Sequence, residues 1–364
     1  MVVAPDKFKG TLTAIEAARA MRAGVSAALP GAEVTVVALA DGGEGTLEVV
    51  LGAVGGDVRT VEARDPLGRR IRAPLARLRD GRIVLESATV CGLALLDTAA
   101  PLMASSVGVG DLIRHALDAR EDDGAVVVGV GGTASTDGGT GMARALGWRF
   151  VDRARDELPP GGGALGDLHA IDAPGAADLA RPLPIVAACD VINPPKGPRG
   201  AARVFGPQKG ASSAEVDILE RGLERLTEVI RRDLGVDVDG LPHGGAGGGL
   251  GAGLVAFCGA ELVSGFDLVA SAAGLDALIA RADVVVTGEG RVDAATAEGK
   301  VVSGVVERAA GAGARCLVVA GEVDRGAVLP GVVDSIDLVA RYGDAARGDA
   351  ARCITRAVAQ ALAT

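Results

Sequence analysis

Four runs of small apolar residues each end in a polar or glycine-bearing turn: AVVVGVG (125–131), PIVAACD (184–190), DVVVTGE (283–289) and CLVVAG (316–321). Such runs show no polar alternation. They suit strands buried on both faces, as in a parallel sheet covered by helices. The N-terminus repeats the unit: VVAPD leads through KFKG into a helix opening at Thr13. Thr13 and Glu16 have capping-box spacing, and Ile15, Met21, Val25 and Leu29 give the helix its apolar face. Pro30-Gly31 stops it, and VTVVALA (34–40) follows as the next strand. Strand–helix–strand order of this kind predicts an α/β fold.

A chain of 364 residues exceeds the roughly 250–300 at which single cores stop growing, so two domains are expected. From Arg59 to Glu86 the texture changes. TVEARD, DPLG, RRIRAPLARL and GRIVLE read as antiparallel strands joined by tight turns, with Asp65–Gly68 carrying turn preferences. The reading is a discontinuous Rossmann-like parallel-sheet domain over 1–58 plus 275–364, and a second mixed α/β domain over 59–274. The placement of 88–150 stays open between the two. Within the second region Ser212 and Glu215 form another capping box. Val216, Leu219, Leu223, Leu226, Ile230 and Leu234 then mark one helix face, and Gly235 closes it.

Composition removes several function classes. The net charge of −10 argues against a nucleic-acid surface, which is normally basic and interleaved with aromatics. Cys91, Cys189, Cys258, Cys316 and Cys353 lie far apart with no CxxC pair. They are expected as buried small hydrophobes and not as a zinc site or disulfide framework. With no signal peptide and no apolar stretch of about 20 residues, a soluble cytoplasmic protein is expected. GxxxxGK[ST], HRD, DFG and GxSxG are all missing, against P-loop, protein-kinase and serine-hydrolase chemistry. His115 sits in the helical stretch DLIRHALDA and is expected to be structural. His169 has no pattern to interpret, while His243 adjoins the glycine loop HGGAGGGLGAGL and is a candidate ligand contact.

The chain has thirty-two arginines and five lysines. Those lysines, Lys7, Lys9, Lys196, Lys209 and Lys300, all lie in short glycine- or proline-flanked segments. Where arginine is so strongly preferred, a surviving lysine points to a need for a compact ammonium, as in phosphate-handling loops. Asn193 is the lone asparagine, three residues before Lys196.

Polar segments follow five predicted strands, where open α/β sheets bind ligands. They are Asp6 with Lys7 and Lys9; Asp41-Gly-Gly-Glu44-Gly-Thr46; GVGGTASTDGGTG (129–141); Asp190; and Thr287-Gly-Glu289-Gly-Arg291-Val-Asp293. Phosphoryl transfer suits such a set, because the protein must supply positioning, cations and metal-bound charge. Glycine loops let backbone N–H groups approach phosphates, and Thr133, Ser135 and Thr136 add hydroxyl donors. Asp41, Glu44, Asp190, Glu289 and Asp293 are candidate oxygen ligands for Mg²⁺, and one carboxylate must take the substrate proton.

APDKFKGTLTA, ADGGEGT, GVGGTASTDGGTG, VFGPQKGA, GAGGGLGAGL and VTGEGRVD, in this order, resemble the motifs of the bacterial glycerate kinase family (type 1) over nearly the whole chain. The resemblance implies ATP-dependent phosphorylation of D-glycerate with Mg²⁺, on a two-domain α/β scaffold with the active site in the cleft between the domains. It favours 2-phosphoglycerate as product. Carried over by position, Asp190, Lys9, Asp6 and Lys209 would be catalytic, with Asp190 as general base. Lys7, Arg291, Arg203 and Asn193 would bind glycerate, Arg291 being the first choice for its carboxylate. Gly131, Gly132, Thr133, Ser135, Thr136, Asp137, Gly138 and Lys300 would hold the nucleotide. Asp41, Glu44, Glu289 and Asp293 would hold the metal. Thr136, Ala295 and Pro195 depart from the family's usual Asn, Gln and Leu without removing a charge. The partners implied are glycerate and ATP, with no nucleic acid and no membrane; a homodimer is one option. The rivals are a kinase for another small hydroxy acid, an NAD(P)-dependent oxidoreductase and a non-catalytic ligand sensor. PDKFKG, with two lysines and no GxGxxG in the first loop, disfavours the oxidoreductase.

Overall fold

A computed structural model describes residues 1–119, 124–175, 184–293, 296, 301–324 and 334–363. Ala295 and Lys300 lie outside the described residues. The first strands in chain order are β1 (Val2–Val3), β2 (Thr35–Val36), β3 (Gly56–Arg64), β4 (Arg70–Leu78) and β5 (Ile83–Glu86). They are followed by β6 (Val126–Gly129), β7 (Arg149–Val151), β8 (Ala170–Asp172), β9 (Ile185–Ala188) and β10 (Glu261–Val263). The last are β11 (Val284–Val292), β12 (Arg315–Val323) and β13 (Asp334–Asp337). The chain divides into two compact units: Met1–Asp41 with Glu48–Val54 and Phe266–Thr364, and Gly42–Leu47 with Gly55–Gly265.

The first unit is built on a five-stranded parallel sheet in the order β13-β12-β11-β1-β2. VTVVALA is regular strand only at Thr35–Val36, yet its bonding continues: Val37 donates to the Val3 carbonyl and Leu39 to that of Pro5. Pro5 has no N–H to return, so the ladder is one-sided there and strand geometry lapses. The helix Ala14–Ala28 carries the expected capping box, with Thr13 Oγ accepting from the Glu16 N–H. Met21 and Val25 are buried, but Leu29 lies beyond the last helical residue and is exposed. This helix packs against Ala350–Leu362. A Cβ at Gly24 would stand 2.6 Å from the Thr355 carbonyl oxygen, so only glycine allows that approach. Val3, Phe8, Met21, Val286, Val319, Ile354 and Val358 belong to the core of this unit.

The second unit holds a mixed six-stranded sheet, β10-β9-β6-β5-β4-β3, and a small β7-β8 pair. β3, β4 and β5 form the expected antiparallel meander, in which Gly68 donates to the Asp65 carbonyl across the turn. β5 then pairs in parallel with β6, β6 with β9 and β9 with β10. The change of texture at Arg59–Glu86 therefore marks the antiparallel flank of one sheet. The helix Ser213–Leu234 has its Ser212–Glu215 capping box and a left-handed Gly235 at its end. Its buried face closes over the glycine loop after β6. Cys91, Cys189, Cys316 and Cys353 are buried and Cys258 is half-buried. No helix among the described residues is long and apolar enough to cross a membrane.

Candidate active site

In the second unit β5, β6, β9 and β10 run parallel, so their carboxyl ends share one edge of the sheet. Glu86, the loop after Gly129, Asp190 and Ser264 are placed there. The loop 130–139 is held by other segments, since its glycines offer no side chain to anchor it. Ser87 Oγ donates to the Gly131 carbonyl (3.0 Å) and accepts from the Gly131 N–H (3.1 Å). Ala134 N–H donates to the Cys91 carbonyl (2.6 Å). A Cβ on Gly131 would sit 2.9 Å from the Gly43 Cα, so the two glycine loops 42–45 and 130–139 approach backbone to backbone.

The structure turns most of this loop inward. Thr133, Ser135, Thr136, Asp137 and Gly138 are buried, Gly131 is half-buried and Gly132 is exposed. Asp137 accepts from the Ser106 N–H and hydroxyl (2.8 and 2.9 Å), from Gly139 N–H (3.2 Å) and from Gly141 N–H (3.0 Å). Its carboxylate staples the loop from inside. Ser135 Oγ accepts from the Cys91 thiol at 3.3 Å, and burial pushes that thiol up to about 11. Among the described residues Thr136 Oγ1 has no hydrogen-bond partner.

Lys209 is the internal pin. It is only 5 % exposed, and its Nζ donates to the Ser135 carbonyl (2.6 Å) and the Thr133 hydroxyl (3.3 Å). Burial pulls its pKa down to about 8, while the Cys91 thiol and the Asp137 carboxylate pull the other way. Gly248, at φ +72°, faces this pair: a Cβ there would run into the Ser135 carbonyl and stand 2.9 Å from the Lys209 ammonium. Lys209, expected from the sequence among the phosphate-handling lysines, here grips the loop through the Ser135 carbonyl and the Thr133 hydroxyl.

Beside this, Asp190 Oδ1 accepts from the Gly265 N–H (2.7 Å) and the Ser264 hydroxyl (3.1 Å), which fixes its carboxylate at the start of the helix Gly265–Ala272. Asn193 Nδ2 donates to the Arg199 carbonyl (2.8 Å), so its amide closes the loop it belongs to. Lys196 pairs with Asp239 at 3.0 Å and Arg203 with Asp217 at 3.3 Å. Glu44 is exposed on its loop. His115 bonds the Glu62 carbonyl, a structural role, and His243 Nδ1 lies 3.1 Å from the Val191 carbonyl oxygen. Sequence reasoning passed over Glu86, whose buried Oε1 accepts from the Leu47 N–H at 2.6 Å. The strand-end rule used for the other carboxylates would have found it, had β5 been recognised as parallel to β6.

The first unit carries its own strand-end cluster. Asp6 is buried after β1, with Oδ1 accepting from the Lys7 N–H, and Lys7 Nζ meets Asp41 Oδ1 at 3.0 Å. Lys9 is exposed; among the described residues it has no ion pair or side-chain hydrogen bond. After β11 begins its polar half, Glu289 is buried and accepts from Thr296 Oγ1 (2.8 Å), while Asp293 Oδ1 accepts from the Thr296 N–H (3.1 Å). Arg291 forks onto Asp324 through Nε (3.0 Å) and an Nη (2.7 Å), and that partner raises its pKa. A substrate carboxylate at Arg291 would have to displace Asp324. Among the described residues no three His, Cys, Asp or Glu side chains form a metal cage. Magnesium needs none, since it commonly takes one or two carboxylates and completes its shell with water and substrate phosphates. The oxygen donors Asp41, Glu289 and Asp293 fit that requirement.

The chain is an α/β protein with glycine loops, lysines and carboxylates at the carboxyl ends of parallel strands, where open α/β sheets bind ligands. The sequence profile of the glycerate kinase family matches residues 1–361. A glycerate 2-kinase of Escherichia coli K12 is 42% identical over 308 residues, covering 84% of this chain and 80% of that protein. A glycerate kinase of Bacillus subtilis 168 is 39% identical over 328 residues, covering 89% and 85%. A crystal structure described as glycerate kinase 2 of Salmonella typhimurium LT2 superposes with a TM-score of 0.83 at 38% identity, covering 100% of this chain and 96% of that one. The chain belongs to the glycerate kinase family of enzymes.

Proposed function

We propose that the protein transfers the γ-phosphoryl group of ATP to the 2-hydroxyl of D-glycerate, with Mg²⁺ as the required metal. The observation that carries the reading is the glycine loop after β6, pinned from behind by Lys209, Ser87 and Asp137, with Gly132 exposed at its turn. A backbone so held can present N–H groups to phosphate oxygens without reorganising as charge develops. The Escherichia coli relative's name, glycerate 2-kinase, supports the 2-hydroxyl.

In this reading the glycerate hydroxyl oxygen bonds to the γ-phosphorus, the bond from that phosphorus to the β–γ bridging oxygen breaks, and ADP leaves. Asp190, held through one oxygen by Gly265 and Ser264, accepts the hydroxyl proton. Asp41, Glu289 and Asp293, with Glu44, supply oxygen ligands for Mg²⁺, which when bound neutralises phosphate charge. Lys9 is the favoured cation for a substrate anion, because Arg291 and Arg203 are already engaged by Asp324 and Asp217.

The test is purified protein with ATP, Mg²⁺ and D-glycerate, tartronate or lactate, with products resolved by phosphorus NMR. The expected outcome is 2-phosphoglycerate from D-glycerate, formed far faster than any product from the other acids. Equal rates on all three acids, or reduction of NAD⁺ in place of ATP consumption, would overturn the reading.

A further inference from the structure

Glu220 lies on the apolar side of the helix Ser213–Leu234, four residues after Val216 and three before Leu223, both buried. It is 2 % exposed. A carboxylate in that stripe is costly, because burial removes water from a charged group. Burial pushes its pKa up, against the Gly197 N–H, Arg203 and Lys196; Glu224 pushes it further up. Only one of its oxygens is satisfied: Oε1 accepts from the Gly197 N–H at 2.5 Å, and Oε2 has no hydrogen-bond partner among the described residues. A leucine would fill the same space without that cost, so packing does not explain the residue. What the carboxylate does is hold the segment 191–200.

That segment begins directly after Asp190. Its other ties include the Asn193 carbonyl accepting from the Gly245 N–H (2.8 Å), the Pro195 carbonyl accepting from the Ala201 N–H (3.2 Å), His243 Nδ1 at 3.1 Å from the Val191 carbonyl oxygen, the internal Asn193–Arg199 bond and the half-exposed Lys196–Asp239 pair; none of these holds Gly197 itself. Gly197 is left-handed at φ +91° and its carbonyl accepts from the Gly200 N–H, so the segment doubles back at the residue that Glu220 grips. Between Gly197 and Asp190 stand Pro194 and Pro195, whose fixed φ makes this stretch stiff. A displacement at Gly197 is therefore passed back towards Asn193 and Asp190.

We propose that Glu220 is a positioning residue for the phosphoryl-transfer reaction: its buried carboxylate latches the 191–200 segment to the long helix and so holds Asp190 and Asn193 where the glycerate hydroxyl is received. The inference rests on the reading of Asp190 and Asn193 given above. The glycine loop after β6 has separate anchors, Ser87 and Lys209, so nucleotide binding should not depend on this latch.

The test compares the wild type with Glu220→Gln, which keeps an acceptor for the Gly197 N–H, and Glu220→Met, which removes it while keeping the volume apolar. Glu220→Met should exchange backbone hydrogens faster over 193–199. Its kcat/KM for D-glycerate should fall about ten- to a hundredfold, the range covered by losing one hydrogen bond to a charged group. Its KM for ATP should stay within about twofold, and Glu220→Gln should recover most of both effects. Unchanged exchange over 193–199 in Glu220→Met overturns the latch, as does equal damage in Glu220→Gln. Faster exchange with unaltered glycerate kinetics overturns the positioning role. If wild-type protein fails to phosphorylate glycerate, the proposed function falls, while the exchange comparison still decides whether Glu220 holds the segment.

Discussion

Replacing Lys209 by Met tests whether a buried cation really pins the glycine loop after β6. The fall of the Lys209 pKa from 10.5 to about 8 means that, relative to water, the folded site disfavours the ammonium against the neutral amine by about 3 kcal/mol. Removing the side chain relieves that penalty at neutral pH, but it leaves the buried Ser135 carbonyl without its 2.6 Å donor, a loss of about 1–3 kcal/mol. The two terms nearly cancel, so Lys209→Met should match the wild type in stability at pH 7.5 to within about 2 kcal/mol. The sign of the pH dependence follows from linkage. Between pH 8 and 10.5 the unfolded lysine keeps its proton while the folded one has lost it, so the wild type gains stability as pH rises through that window. The variant has no such group, and the neighbouring Cys91 thiol, pushed up to about 11, keeps its proton in the folded protein up to pH 10. The wild type's stability minus the variant's should therefore rise by about 2 kcal/mol between pH 7.5 and 10, measured by urea unfolding followed by circular dichroism. Glycerate phosphorylation by the variant should meanwhile collapse at every pH. A stability difference that does not move with pH would refute a buried Lys209 with a lowered pKa, and full activity would refute the pin.

Three further outcomes can be checked separately. Asp190→Asn keeps an acceptor for the Gly265 N–H but cannot take a proton, so kcat should fall about 10²–10⁴-fold with glycerate KM little changed in steady-state kinetics; unchanged rates would leave Asp190 only capping the following helix. Gly248→Ala puts a Cβ at φ +72° against the Ser135 carbonyl and should cost about 2–4 kcal/mol in urea melts, combining left-handed strain with overpacking; a loss below about 1 kcal/mol would mean that the loop gives way there. Glu86→Ala strips the Leu47 N–H of its 2.6 Å acceptor and should lower stability by about 1–3 kcal/mol, with Glu86→Gln restoring most of it.

The elements that were legible in the sequence are those whose signal is local. Thr13 with Glu16 and Ser212 with Glu215 close their capping boxes within four residues, and Gly235 ends its helix through its own φ. The apolar runs identified β6, β9, β11 and β12 because burial on both faces is written into their composition. Pairing partners are not written locally. Nothing in GRIVLE says that its strand joins a meander on one side and a parallel neighbour on the other, so Glu86 escaped the strand-end argument. The Arg291–Asp324 pair is also invisible in GEGRVD, because Asp324 lies 33 residues further on. Asp137, placed by the family resemblance with the nucleotide-binding residues, accepts from the Ser106 N–H and hydroxyl, partners 31 residues away that STDGGTG does not show.

The inward-facing hydroxyls and the buried acids share one physical origin. A glycine-rich loop brings its backbone close to a ligand but loses more conformational freedom on folding than other sequences, and it has no side chains with which to hold itself. Catalysis of phosphoryl transfer depends on donors already in place, so some other part of the chain must fix such loops. Here the fixing groups are buried and polar: Ser87 on Gly131, Lys209 on Ser135, Asp137 on Gly139 and Gly141, and Glu220 on Gly197. Each is expensive to bury, and each acts on backbone atoms of a segment near a strand end. This accounts for lysine and glutamate persisting inside a core otherwise made of alanine, valine and leucine. It also separates two kinds of charged residue that look alike in sequence. Those facing out of the strand ends, such as Lys9 and Glu44, can meet a ligand; those facing in set the shape that the ligand meets.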